Sequence, residues 1–116
     1  MTLFSYLMVG HLIGDYLLQT SWMAAGKATR WRPLLMHCFV YTSVVSTAFL
    51  IGTGMLPLSV IAIIFISHVL LDRRHFVAWW AKTIMGVKHG EPAWLLIMAD
   101  QVFHIIVLAI ISHIWG

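Results

Sequence analysis

The chain has 116 residues, of which 61% are hydrophobic and 9% charged, and its mean hydropathy is +0.92. An ordinary soluble domain carries about 25% charged residues, so the composition excludes one and indicates an all-α, polytopic membrane protein with nothing left over for a second domain. The net charge of +3 and pI near 9.4 would suit nucleic acid, but no basic face or aromatic-interleaved platform accompanies them, so no nucleic-acid partner is expected.

A span needs about 20 mainly apolar residues, and four can be placed in chain order, forming one compact four-helix transmembrane bundle over residues 1–116. The first, residues 3–22, contains Gly10, His11 and Asp15, and nothing basic precedes it. It therefore reads as a retained span and not a signal peptide. A basic stretch from Lys27 to Pro33 follows, and Pro33 is placed to begin the second span, 33–51, which carries His37 and Tyr41. A short uncharged connection around Gly52 and Gly54 leads to the third span, 58–74, whose helix is expected to run on towards Lys82. Trp79, Trp80 and Lys82 form an interfacial anchor, with rings at headgroup depth and a cation beside them. A polar turn, 86–92, precedes the fourth span, 93–114.

All seven Lys and Arg lie in two places: Lys27, Arg30 and Arg32 between the first two spans, and Arg73, Arg74, Lys82 and Lys88 between the last two. By the positive-inside rule both stretches are cytoplasmic and both termini non-cytoplasmic. Cys38, the single cysteine, can form no internal disulfide and reads as a small buried hydrophobe.

Each of the three aspartates lies four residues from a histidine, in the pairs His11/Asp15, His68/Asp72 and Asp100/His104. Four residues is slightly more than one helical turn, so each pair shares one helix face and can hold one ion. In the expected topology the pairs and His37 all fall in the cytoplasmic halves of their spans, in one layer roughly 5–15 Å inside the boundary. A carboxylate at that depth must face the bundle interior and be paired or bound to metal.

His11, Asp15, His37, His68, Asp72, Asp100 and His104 are thus the candidate metal ligands. They are too many for one tetrahedral ion and suited to two, with zinc favoured and manganese or iron as alternatives. Asp15, Asp72 and Asp100 are the candidate catalytic bases. The competing readings are hydrogen-bonded His–Asp pairs that glue the helices, and a proton or ion relay. Gln19 continues the His11/Asp15 face and reads either as an orienting group for a ligand or as a packing amide. Gln101 points about 100° away from Asp100 and reads as a packing or capping residue. Arg73 and Arg74 read first as topology determinants. His75 and His89 are interfacial, and His113 lies at the far end of the fourth span. Gly10, Gly14, Ala24 and Ala25 are small enough to permit close helix approach.

The blocks G-H-L-I-G-D-Y-L-L-Q-T-S-W-M-A, L-L-M-H-C-F-V-Y, S-H-V-L-L-D and D-Q-V-F-H resemble the bacterial membrane proteins grouped as domain of unknown function 3307. The resemblance covers nearly the whole chain and implies a four-helix membrane unit of bacteria and their phages, hence the bacterial cytoplasmic membrane. More loosely, the chain resembles membrane-bound metal-dependent hydrolases, which are related to zinc phospholipase C and P1-type nucleases. That likeness implies phosphoester hydrolysis and touches His11, His37, His68 and Asp72 more closely than the fourth span, where the order is Asp before His. It also implies membrane lipid as a partner and a phosphoester or lipid-linked substrate. The alternatives are a proton or metal-ion translocator, which would need a homo-oligomer, and a structural or host-modulating membrane module in which the pairs act as staples.

Overall fold

The computed structural model describes residues 1–89 and 91–116; Gly90, within the polar turn expected at 86–92, lies outside the described residues. Among the described residues the fold is all-helical, with six α-helices, one π-helical turn and no strand. The helices are α1 (Leu3–Leu12), α2 (Ser21–Gly26), α3 (Trp31–Thr53), α4 (Leu58–Asp72), α5 (His75–Thr83) and α6 (Ala93–Trp115), with the π-turn at Ile13–Leu17 directly after α1.

Local chemistry sets the element ends. Thr2 and Thr20 cap α1 and α2, each hydroxyl accepting from a backbone N–H three residues on, at 3.2 Å. Pro33 lies in the first turn of α3, where its missing N–H leaves no bond unmade, so the helix starts two residues earlier than the proline alone indicates. Gly54 closes α3 in the left-handed conformation, φ 79°, with its N–H on the Leu50 carbonyl at 2.8 Å.

Two expectations change. Residues 3–22 are not one helix: the ladder widens to the π-turn, stops at Leu18 and restarts at Ser21. The Gln19 side chain donates to the Asp15 carbonyl at 3.1 Å and so satisfies a group the break would orphan. The third helix does not run on through the arginines. It ends at Asp72, and Arg74 takes a left-handed conformation, φ 66°, that turns the chain into α5.

α1 packs on α3 and α6, and α4 packs on the same two helices, so these four enclose a common interior; α2 lies against α3, and α5 against α4 and α6. α3 and α6, 23 residues each and containing 18-residue stretches of mean hydropathy 1.8 and 2.2, are long and apolar enough to cross a membrane, whereas the apolar α4 has 15 residues.

Each enclosing helix buries a stripe with spacing of mainly four residues: Leu3, Leu7 and His11 in α1, continued by Asp15 in the π-turn; His37, Tyr41, Val45 and Phe49 in α3, which also buries Leu34, Cys38, Thr42 and Ser46 beside it; Val60, Ile64, His68 and Asp72 in α4; Asp100, His104, Leu108 and Ile111 in α6. Every stripe has an apolar half and a polar half. Because neighbouring helices run in opposite senses, the apolar halves form one continuous core at one end and the polar halves meet at the other.

Candidate metal centre

All seven residues singled out from spacing are brought together, and none is more than 3% exposed. Four of them converge tightly. His37 Nε2 lies 3.0 Å from Asp15 Oδ1 and 2.9 Å from Asp72 Oδ2, and His68 Nε2 lies 3.5 and 3.0 Å from the same two oxygens. The two Nε2 atoms are 2.9 Å apart. Around a tetrahedral ion with bonds of about 2.0–2.2 Å, neighbouring ligand atoms stand about 3.3–3.6 Å apart, so the group is a slightly contracted version of such a shell. Asp72, Asp100 and His104 form a second group, and Asp72 belongs to both.

The contacts of His37 with Asp15 and with His68 have hydrogen-bond geometry, whereas those at Asp72 and at His104 Nε2 do not. Both Asp72 oxygens lie within 3.2 Å of nitrogen atoms, yet neither takes part in a hydrogen bond of acceptable angle. His104 is more explicit. Its Nδ1 sits 2.6 Å from the Asp100 backbone carbonyl, which can only accept, so Nδ1 carries the proton. In the neutral ring Nε2 is then a lone pair, and it faces Asp72 Oδ1 at 3.0 Å. Two acceptors that close require positive charge between or upon them, either a proton on the ring or a metal ion. A ring whose second nitrogen is anchored to a carbonyl is also how metal-binding histidines are oriented.

His11 stands beside the converging groups. Its Nε2 lies 2.8 Å from Gln101 Oε1, to which it donates, and its Nδ1 accepts from the Tyr41 hydroxyl at 2.8 Å. Gln101 in turn donates to Asp15 Oδ2 and Asp100 Oδ2, at 3.2 and 3.3 Å, and so ties the two groups together. The Tyr41 ring stacks on His68 with centroids 3.6 Å apart and an interplanar angle of 9°, which fixes the plane of that imidazole.

Three participants were missed by spacing. Lys27 is 6% exposed and places Nζ 3.2 Å from Asp72 Oδ2; in the sequence it is one more cation of a basic loop. Gln101, read as a packing or capping residue, bridges two carboxylates. Tyr41 could have been found, because it lies one turn beyond His37 on the same face. Arg73 is turned away, its guanidinium 4.2 Å above the Trp31 ring, and His75 and His113 are exposed.

Buried His and Asp side chains of this number and spacing have what is needed to hold a metal ion. No curated protein and no solved structure matches the chain. A family model described as "Protein of unknown function (DUF3307)" matches residues 3–116, and the chain belongs to that family.

Proposed function

We propose that the chain is a membrane-embedded, divalent-metal-dependent hydrolase whose centre is built around Asp72, with room for two ions and a phosphoester or lipid-linked substrate. The observation that carries the reading is the Asp72 carboxylate, shared by two ligand groups, with three imidazole nitrogens within 3.0 Å and no directional hydrogen bond to either oxygen. Asp15, His37, His68 and Asp72 hold the first ion, and Asp72, Asp100 and His104 the second. His11 and Gln101 orient the carboxylates. Zinc suits this mixture of imidazole and carboxylate best, with manganese or iron next.

A bound divalent ion supplies Lewis-acid activation of water and of a phosphoryl oxygen. The chain's own groups do the rest. Whichever of Asp15 or Asp100 is not saturated by metal would accept the proton from a water attacking phosphorus and return it to the alkoxide as the P–O ester bond breaks, and the Gln101 amide holds that carboxylate in place. Tyr41 keeps the His68 ring aligned.

The membrane setting rests on α3 and α6, on the apolar residues exposed along α4 and α6, among them Leu58, Ile66, Leu70, Ile97 and Ile110, and on the gathering of Lys and Arg in two stretches. A lipid-linked substrate fits that setting, because the polar layer lies on the side of the basic stretches and would fall near headgroup depth in a membrane so oriented.

The test is elemental analysis of detergent-purified protein beside a His68→Ala/Asp72→Ala variant and a His113→Ala control, followed by hydrolysis assays on phosphomonoesters, phosphodiesters and phospholipids. Metal is expected in the wild type and the control and lost from the double variant, with hydrolysis following metal content. Metal-free protein after supplemented expression would sink the proposal and leave hydrogen-bonded His–Asp pairs.

A further inference from the structure

Lys27 is a charged group in the polar layer that the hydrolase reading does not use. It stands at the C-terminal end of α2, a helix whose last residue, Gly26, packs so closely on Pro33 that an added Cβ would lie 2.6 Å from Pro33 Cγ. From there the side chain runs inward to Asp72, while Arg30 and Arg32, three and five residues on, are exposed. A cation needed only for orientation would stay outside, since burying an ammonium and a carboxylate removes both from water.

The oxygen it meets is informative. Asp72 Oδ2 is the oxygen that faces His37 Nε2 and His68 Nε2, so Nζ sits against the first ligand group, while Asp72 Oδ1 faces His104 in the second. The charges point the same way. With the imidazoles neutral, Asp15, Asp72 and Asp100 with Lys27 leave two negative charges in the layer, which one divalent ion set between Asp72 Oδ1 and His104 cancels. A second ion would leave the interior doubly positive unless the ammonium withdrew, and uncompensated buried charge of that size is strongly disfavoured.

We propose that Lys27 is a resident counter-cation standing in for one of two divalent ions at Asp72, so that the centre keeps a single ion while the ammonium is in place and admits the second when it withdraws. The inference rests on the metal-binding reading above and assigns Lys27 control of its stoichiometry. Lys27 is thus a positioning residue, acting through Asp72.

Two measurements test it. Zinc retained after desalting is counted for the wild type, Lys27→Arg and Lys27→Met; about one ion per chain is expected for the first two and about two for the third, since only the last removes the repelling charge. Independently, the wild type is reductively methylated at rising zinc concentration and Lys27 is compared with the exposed Lys82 and Lys88 by mass spectrometry. Lys27 is expected to stay protected while a single ion occupies the Asp72, Asp100 and His104 group, and to react several-fold faster as a second ion enters the Asp15, His37, His68 and Asp72 group that Nζ faces. This arm needs no variant and decides the matter if Lys27→Met does not fold. Equal or lower zinc in Lys27→Met, or Lys27 reactivity indifferent to bound zinc, overturns the role of Lys27 and leaves metal binding standing. Absence of zinc from the wild type and both variants overturns the metal reading, and this inference with it.

Discussion

Asp72 meets Lys27, His37, His68 and His104 within 3.2 Å, whereas the hydrogen bond to the Asp100 carboxylate comes from Gln101, at 3.3 Å. The two aspartates are equally buried, so their energetic weight differs through partners and not through solvent. Removing one partner of a buried ion pair costs about 3–5 kcal/mol, because the other charge is left unpaired. Losing a single hydrogen bond to a charged group costs about 1.5–3 kcal/mol. With chelator present, Asp72→Ala is therefore expected to lower the thermal midpoint in detergent clearly further than Asp100→Ala. Equal shifts would mean that the polar layer is not organised on Asp72. The residues of this layer were half legible in the sequence. His–Asp spacing marks residues that share one helix face, and it brought all six into the layer, but of those pairs only His68 and Asp72 join imidazole to carboxylate at 3.0 Å; the other close contacts, His37 with Asp15 and Asp72 and His104 with Asp72, run between helices. Lys27 and Gln101 act across helices: one reaches inward from another element, and the other joins Asp100 on its own helix to His11 and Asp15 on the first segment. Spacing along one chain carries no trace of either contact.

At the level of elements, the approach of α1 to α3 sets the distance between Asp15 and His37. An added Cβ at Gly10 would lie 2.9 Å from Ala48 Cβ, and one at Gly14 3.0 Å from Tyr41 Cδ2 and 3.3 Å from Tyr41 Cα. Backbone cannot yield at the second site, so Gly14→Ala must push the π-turn, and Asp15 with it, away from His37. A loss of about 1–3 kcal/mol is expected for such overpacking, together with reduced zinc retention. Gly54→Ala is the matched control. It strains a left-handed turn with open space around it, costing about 1–2 kcal/mol, and should leave zinc retention unchanged. If both variants retain zinc alike, close packing of α1 is not what positions Asp15. The small residues Gly10 and Gly14 were readable as contact points, although Ala24 and Ala25 proved exposed. The element breaks were not readable. Residues 3–18 carry no proline or polar run to announce a π-turn, since Gly10, His11, Gly14 and Asp15 fit a continuous helix as well, and Arg74 takes a conformation that glycine or asparagine would normally advertise.

On the scale of the whole molecule, the four buried stripes divide the interior into a polar layer and an apolar one, and the division favours hydrolysis over transport. A translocator needs a polar path through the bilayer, yet Leu3, Leu7, Val45, Phe49, Val60, Ile64, Leu108 and Ile111 fill the interior beyond the histidines. Hydrolysis needs only that the polar layer lie near one face. Which face is fixed by the cations: Arg30, Arg32, Arg73, Arg74, Lys82 and Lys88 follow the helix ends that carry the polar halves of the stripes, opposite the termini and Gly54. Translocating one arginine is costly, and four with two lysines are prohibitive, so the basic end is expected to stay in the cytoplasm. A reporter fused after Gly116, and another inserted after Gly54, should therefore read out on the non-cytoplasmic side, and one inserted between Thr29 and Arg30 on the cytoplasmic side. The opposite pattern would place the polar layer at the outer face and redirect the search for a substrate to the outer leaflet. A Gly54 reporter on the opposite side from the Gly116 reporter would be the more damaging result, because the apolar halves of the stripes then could not share one end of the molecule.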